Sequence, residues 1–212
     1  MSALRILIVD DHLLIRCGLK QILEREFPSV TVGEAQNGSE AIQQVAEKSW
    51  DVVVMDINMP GRSGLVVLQD LKHLHPKLPV LILSAYSEDE FALRVLKAGA
   101  AGFVAKESTH LELVKAIRKV LSGGKYITDS VAEKLANQFD IKATGAPHEA
   151  LSDREYQVVC LIGSGKTPTE IAHELSLSVK TVSTYRARIL EKLNMKTNAQ
   201  LIHYMISNGL VN

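Results

Sequence analysis

Short, fully apolar runs alternate along this chain with longer stretches whose apolar residues recur every three or four positions. Ile6-Leu7-Ile8-Val9, Val52-Val53-Val54-Met55, Val80-Leu81-Ile82-Leu83 and Gly102-Phe103-Val104-Ala105 are short and almost uniformly apolar. They read as strands buried on both faces. Val30-Thr31-Val32 is a less apolar strand, suited to a sheet edge. Between these runs lie helical stripes: Leu14, Ile15, Leu19, Ile22 and Leu23; Ala41, Ile42, Val45 and Ala46; Leu65, Leu68 and Leu71; Phe91 to Ala98; Val114, Ile117 and Leu121. Asn37-Gly38-Ser39-Glu40, Ser87-Glu88-Asp89-Glu90 and Thr109-His110-Leu111-Glu112 look like capped helix starts, and Gly99 like a stop. Five strands alternating with five helices predict an α/β fold with a parallel sheet covered on both faces.

The pattern changes after Gly123-Gly124. Thr128 to Phe139 allows a short amphipathic helix with Val131, Leu135 and Phe139 on one face. Lys142-Ala143-Thr144-Gly145-Ala146-Pro147-His148 reads as a tether. Helical signals then resume. Ser152-x-x-Glu155 is a capping box ahead of Val158, Val159, Leu161 and Ile162. Thr167-Pro168-Thr169-Glu170 is a second box, with proline at the first helical position, ahead of Ile171, Ala172 and Leu175. Ser178 caps a third helix to Leu193, and Thr197-Asn198-Ala199-Gln200 opens a fourth that ends near Asn208-Gly209. The short turn Ser176-Leu177-Ser178 makes the middle pair a helix-turn-helix. The expected organisation is an α/β domain at 1–122, a linker with a short helix at 123–150, and an all-α four-helix domain at 151–212.

Composition adds little to this picture, but charge distribution does. The net charge is zero, yet residues 151–212 hold seven Lys/Arg against five Asp/Glu, and the rest holds seventeen against nineteen. Aromatic residues are 5% of the chain, which argues against base stacking on single-stranded nucleic acid. Cys17 and Cys160 both sit in helical apolar patterns and read as reduced, buried thiols. No run has the length of a membrane span or the form of a signal peptide, so a soluble cytoplasmic protein is expected.

The candidate chemistry lies at strand ends. Asp10 and Asp11 follow the first apolar run, Asp56 the third in chain order, Ser84 the fourth and Lys106 the fifth. Any one of them reads equally well as a turn or cap residue. Together they stand at the carboxyl edge of one parallel sheet, where such sheets bind ligands. Three carboxylates in one crevice repel each other, and a divalent cation resolves this; oxygen ligands with room for water suit Mg²⁺. Asp56 could then attack phosphorus and form an acyl phosphate, with Lys106 and the Ser84 hydroxyl on the phosphoryl oxygens. In the second domain, Lys180, Arg186, Arg188, Lys192 and Lys196 face only Glu191. A stripe of Val182, Ile189 and Leu193 would turn Lys180, Thr181, Ser183, Thr184, Ala187 and Arg188 outward. A basic helix by itself more often faces water. Within a helix-turn-helix it fits the major groove of double-stranded DNA.

Residues 1 to about 122 resemble the receiver domain of bacterial two-component response regulators. The motifs are Asp10-Asp11, Met55-Asp56-Ile57-Asn58-Met59-Pro60-Gly61 with Gly64, Ser84-Ala85, Lys97-Ala98-Gly99-Ala100 and Lys106. The resemblance implies a flavodoxin-like, doubly wound (βα)5 fold. It implies that Asp56 takes phosphate from the phosphohistidine of a sensor histidine kinase. Asp11, Asp56 and the Asn58 carbonyl would bind Mg²⁺ with Asp10 assisting, and Ser84 and Phe103 would be the switch hydroxyl and aromatic. Serine replaces the commoner threonine at Ser84, and Glu107 stands where a proline often follows the lysine, so no cis-proline is assumed there.

Residues 151–212 resemble the LuxR-type helix-turn-helix through Leu151-Ser152-x-Arg154-Glu155, Gly165-Lys166, Glu170-Ile171-Ala172, Leu175-Ser176-Leu177-Ser178, Lys180-Thr181-Val182, Lys192-Leu193 and Thr197-Asn198-Ala199. The two together resemble a NarL/FixJ-type regulator. By that resemblance Ser183, Thr184 and Ala187 approach base edges, while Lys180, Thr181, Arg186, Arg188 and Lys192 anchor phosphates. Ser183 and Tyr185 depart from the commoner lysine and histidine, so base preference is not transferable. The last helix would pair two copies through Leu201, Tyr204 and Met205, although core packing explains Leu201 equally well. The expected function is a phosphorylation-controlled transcription regulator that dimerises on an inverted repeat, with RNA polymerase a further candidate partner. Two rivals remain at this point. An aspartate-nucleophile phosphatase would need a second acid two residues after Asp56, where Asn58 stands. A phosphate-independent regulator would have no use for the acidic cluster.

Overall fold

The computed structural model describes residues 3–59, 62–84, 88–106, 108–128, 131–133 and 146–211, with the side chains of 88–90 left aside. Its contacts divide it into two units, Met1–Asn137 and Gln138–Asn212. The expectations for Pro60-Gly61, the Ser87 cap, Glu107, most of the short helix from Thr128 to Phe139, and the tether up to Gly145 fall outside the described residues.

The first unit alternates β1 (Arg5–Val9), α1 (Leu13–Glu26), β2 (Thr31–Ala35), α2 (Gly38–Glu47), β3 (Val52–Asp56), α3 (Gly64–Leu74), β4 (Val80–Ser84), α4 (Glu88–Lys97), β5 (Gly102–Ala105) and α5 (His110–Leu121). The strands pair in parallel in the order β2-β1-β3-β4-β5. β3 and β4 are buried at every position, because helices cover both faces of a central parallel strand. β2 is half-exposed, as its edge position and its Gly33-Glu34 pair dictate. Alternate strand residues feed two cores. Ile6, Ile8, Val52, Val54, Leu81, Leu83 and Val104 pack with Leu19 and Leu23 of α1 and Leu113 and Ile117 of α5. Leu7, Val9, Val53, Met55, Ile82 and Phe103 are buried on the opposite side of the pleat.

Asn37 and Thr109 cap α2 and α5 by accepting the backbone N–H groups of Glu40 and Glu112. Gly99, at φ 100°, ends the α4 turn in the left-handed region. Some details differ from expectation. Leu14 is 86% exposed instead of lying on the core stripe, and Cys17 is exposed. Ile42 is half-buried and Ala46 exposed, so α2 buries a narrower stripe. The chain after Gly124 is bound to the sheet edge: Tyr126 N–H donates to Ala101 O at 2.9 Å, and Phe103 N–H to Tyr126 O at 3.3 Å.

The second unit opens with a 3-10 turn at Pro147–Ala150, followed by α6 (Asp153–Gly163), α7 (Pro168–Glu174), α8 (Val179–Lys192) and α9 (Asn198–Ser207). Complete capping boxes start α6, α7 and α9, through Ser152/Glu155, Thr167/Glu170 and Thr197/Gln200. Ser178 caps α8 by accepting Thr181 N–H at 3.0 Å. Ser176, at φ 51°, lies in the turn between α7 and α8. Val158, Ile162, Ile171, Val182, Ile189, Leu193, Leu201 and Met205 form the buried interior, including the whole stripe expected of α8. Cys160 is buried and unbridged. No helix among the described residues is long and apolar enough to cross a membrane.

Candidate functional site

Strand order reverses between β1 and β3, and both strands end on carboxylates. Asp10 and Asp56 are each 1% exposed. Lys106, just beyond β5, reaches across the end of β4. Its Nζ donates to Asp10 Oδ2 and to Asp56 Oδ2, each at 2.7 Å. Asp56 Oδ1 accepts the Asn58 N–H at 3.0 Å, and Asp10 Oδ1 accepts the His12 N–H at 2.8 Å. Asp11 stands at the rim, with Oδ1 buried and given no hydrogen bond. Ser84 is wholly buried at the end of β4, where its carbonyl accepts the Lys106 N–H at 2.7 Å. Phe103 is 2% exposed on β5. The sheet thus brings Asp10, Asp11, Asp56, Asn58 and Lys106 to one crevice, with Ser84 on the same edge.

Burial pushes the Asp56 carboxyl above its ordinary range, and Lys106 and the Asn58 N–H oppose this without cancelling it. Burial also works against the Lys106 ammonium, but Asp56 and Asp10 outweigh it and hold the group above the usual lysine value. The Lys106 ammonium is thus shared between Asp10 and Asp56, and Asp11 stands beside them as a third carboxylate. Ligand atoms of Asp10, Asp11, His12 and Asp56 lie within 4.8 Å of one another. A carboxylate oxygen that accepts no hydrogen bond, beside two more carboxylates, is the donor set of a hard cation.

Two contributors escaped the sequence reading. His12 Nδ1 lies 3.2 Å from Asp10 Oδ1 and 3.1 Å from Asp11 Oδ1. The run Asp10-Asp11-His12 was the available signal. Arg16 is 5% exposed, and its Nη1 donates to Asp10 O at 2.9 Å, fixing the backbone that presents the carboxylate. A cation set between Ile15 and Leu19 marked it.

In the second unit, α8 exposes Lys180, Ser183, Thr184, Ala187 and Arg188 along one side. Thr181 is half-buried, its hydroxyl 2.7 Å from that of Ser178. Arg186 and Lys192 differ from that set in each holding a neighbouring helix, although Lys192 is itself exposed. Arg186 is half-buried, and its Nε donates to Asn198 Oδ1 of α9 at 2.5 Å. Lys192 Nζ donates to Glu155 Oε2 of α6 at 2.6 Å and to Ala150 O at 3.3 Å. Glu155 is a buried acid that the sequence identified only as a helix cap. The pairing expected of α9 also needs correction. Leu201 and Met205 are 0% exposed because they fill the interior of their own unit. Tyr204 is half-buried, its hydroxyl 2.8 Å from His148 Nδ1. The outward apolar residue of α9 is Ile206, at 57% exposure.

Comparison with known proteins divides the chain in the same way. A response regulator receiver domain model matches residues 6–118, and a model of the luxR family of bacterial regulatory proteins matches residues 149–205. The chain is 37% identical over 210 residues to the response regulator UvrY of Escherichia coli (strain K12), covering 99% of this chain and 96% of that protein. It is 38% identical over 209 residues to the response regulator GacA of Pseudomonas viridiflava, covering 98% of each. Among solved structures it is similar to RcsB of Salmonella enterica serovar Typhimurium bound to promoter rprA in the presence of the phosphomimetic BeF3-. The TM-score is 0.64 at 26% identity, over 96% of this chain and 98% of that one.

Proposed function

The chain belongs to the response regulators that join a receiver domain to a LuxR-type DNA-binding domain, and from this premise we propose that phosphorylation of Asp56 controls its binding to DNA. This family regulates transcription and is not a family of enzymes. The observation that carries the proposal is the half-buried Lys106 ammonium bridging the buried Asp10 and Asp56 at 2.7 Å each. A phosphoryl group on Asp56 would place new anionic oxygens beside a cation already held in position.

An Asp56 carboxylate oxygen attacks the phosphorus of a kinase phosphohistidine. The O–P bond forms, the N–P bond breaks, and the freed imidazole stays with the kinase. Lys106 then pairs with phosphoryl oxygens and Ser84 offers its hydroxyl. Asp10, Asp11, Asp56 and the Asn58 carbonyl would hold Mg²⁺, which supplies neutralisation of the charge on the transferred group. The buried Asp11 Oδ1, which accepts no hydrogen bond and faces the His12 ring, supports that fit. Ser84 and Phe103, both buried, are the groups through which the new charge would shift the receiver between two states.

For DNA, Ser183, Thr184 and Ala187 would face base edges while Lys180, Thr181 and Arg188 hold phosphates. Two copies would pair on an inverted repeat, with Ile206 and its half-buried neighbour Ile202 as the apolar contact on α9. A sensor histidine kinase, RNA polymerase and a cytoplasmic setting complete the reading. The organisation behind it is a receiver at 1–122, a connection at 123–150 and a DNA-binding domain at 151–212. The test is to treat the full chain with a small acyl phosphate and Mg²⁺, then follow intact mass and binding to promoter-derived duplexes. Addition of one phosphoryl group and tighter binding are expected, and both should vanish in Asp56→Asn. Unchanged stimulation in that variant would refute the switch.

A further inference from the structure

Arg186 and Lys192 carry charge on the DNA-reading helix, yet each is committed to a neighbouring helix. Lys192 reaches Glu155, whose side chain is 4% exposed. The same Glu155 oxygen accepts the Ser152 N–H at 2.7 Å, so one carboxylate both caps α6 and holds the end of α8. Lys192 also donates to Ala150 O, in the turn that leads into α6. Half a helix away, Arg186 donates to Asn198 in the first turn of α9. These two ties lie about 9 Å apart along the axis of α8, at 1.5 Å per residue. Two fixed points on one helix set its tilt and its rotation relative to α6 and α9. The side chains meant for base edges, Ser183, Thr184 and Ala187, are all short and have little reach of their own. Their distance to the groove floor is therefore set by where the α8 backbone lies.

We propose that Glu155–Lys192 and Arg186–Asn198 are positioning pairs that set the angle of α8, and that Arg186 and Lys192 do not act as phosphate contacts. This inference rests on the proposed DNA-reading role of α8 and concerns how that role is achieved. Glu155 is an acid that helps α8 bind an anionic partner. Its removal leaves Lys192 free to reach phosphate and deletes a nearby negative charge, so a simple electrostatic view expects tighter binding. Positioning expects the reverse.

The experiment uses the full chain and two fluorescent duplexes: one selected by the wild-type chain from a randomised pool, and one of scrambled sequence. Wild type, Glu155→Gln, Lys192→Gln, the double variant and Arg186→Gln are titrated over a range of salt. Lys180→Gln serves as the phosphate-contact control. Glu155→Gln and Lys192→Gln are each expected to lower the preference for the selected duplex about tenfold, the size of one well-formed base contact. The double variant should be no worse than the poorer single one, as for two members of one pair. Arg186→Gln should lose preference similarly. The slope of log affinity against log salt should stay at the wild-type value in all four, whereas Lys180→Gln should lower it by about 0.9. A loss of folded protein would weaken both duplexes equally, so the preference ratio separates positioning from simple destabilisation. Tighter binding by Glu155→Gln, or a slope reduced by Lys192→Gln or Arg186→Gln as much as by Lys180→Gln, would overturn the inference. A Lys180→Gln slope equal to wild type would instead count against α8 as the DNA-reading helix.

Discussion

Gly64 opens α3 where that helix presses against the loop carrying the candidate phosphoacceptor. A Cβ built there would lie 2.6 Å from Ile57 Cα and 2.7 Å from Ile57 O. Both are backbone atoms, so no side chain can rotate away. Restoring ordinary contact requires α3 and the loop to separate by about 0.8 Å. Ile57 sits between Asp56 and Asn58, and the Asn58 N–H holds Asp56 Oδ1 at 3.0 Å. Gly64→Ala therefore strains the core and displaces the donor that orients Asp56. Overpacking of this kind costs about 1–3 kcal/mol, and a weakened hydrogen bond to a charged oxygen adds to it. With a urea dependence of about 2 kcal/mol per molar, the unfolding midpoint should fall by roughly 1 M. Trp50 is the chain's single tryptophan and lies in the first unit, so its fluorescence reports on that unit. Gly18→Ala is the matched control. Gly18 lies inside α1 with nothing within 4 Å of the added carbon, and the change should stabilise by about 0.5–1 kcal/mol. Phosphate incorporation from an acyl phosphate should slow in Gly64→Ala and not in Gly18→Ala. Equal midpoints for the two variants, with equal phosphorylation rates, would refute the reasoning.

Asp56→Asn should stabilise the first unit at neutral pH. Native Asp56 holds its proton more tightly than the unfolded chain does. Its contribution is thus present below the ordinary carboxylate range and is lost as pH rises through the raised native value. The Trp50 midpoint of Asp56→Asn should exceed wild type at pH 7, and the difference should shrink on acidification; a gain that grows toward low pH would contradict the assignment. Asp11→Asn should weaken Mg²⁺ binding by about tenfold or more in titration calorimetry, and undiminished affinity would remove Asp11 from the site. Thr167→Ala deletes one capping box and should cost the second unit about 1 kcal/mol by far-UV dichroism, leaving the Trp50 transition in place.

The fold was legible where local rules and tertiary burial agree. The runs at Ile6, Val52 and Val80 read as strands covered on both sides and are the three inner strands of the sheet, and the capping boxes at Ser152, Thr167 and Thr197 marked helix starts to the residue. Leu14 failed for a geometric reason. At 3.6 residues per turn it stands on the opposite side of α1 from the buried Arg16, Leu19 and Leu23, so its apolar character did not make it part of the stripe. The stretch after Gly124 failed for a different reason. Its glycines are loop signals, but the pairing of Tyr126 with Ala101 and Phe103 spans more than twenty residues and leaves no local trace.

The acidic crevice was readable for the same reason that the charged helix was not. In a parallel α/β sheet, the last residue of every strand arrives at one edge, so Asp10, Asp56, Ser84 and Lys106 can be placed together by topology before any distance is known. A helix exposes charge all round, and nothing in its own sequence says which cations are already paired. The partner of Lys192 lies 37 positions earlier, and that of Arg186 lies 12 positions later. Lys192 is as exposed as Lys180 and Arg188, so exposure does not separate them; the ties of Lys192 to Glu155 and of Arg186 to Asn198 do. On the proposed reading, the count of basic residues overstates the number that reach a phosphate. The salt dependence of DNA binding should then follow the smaller, untied set.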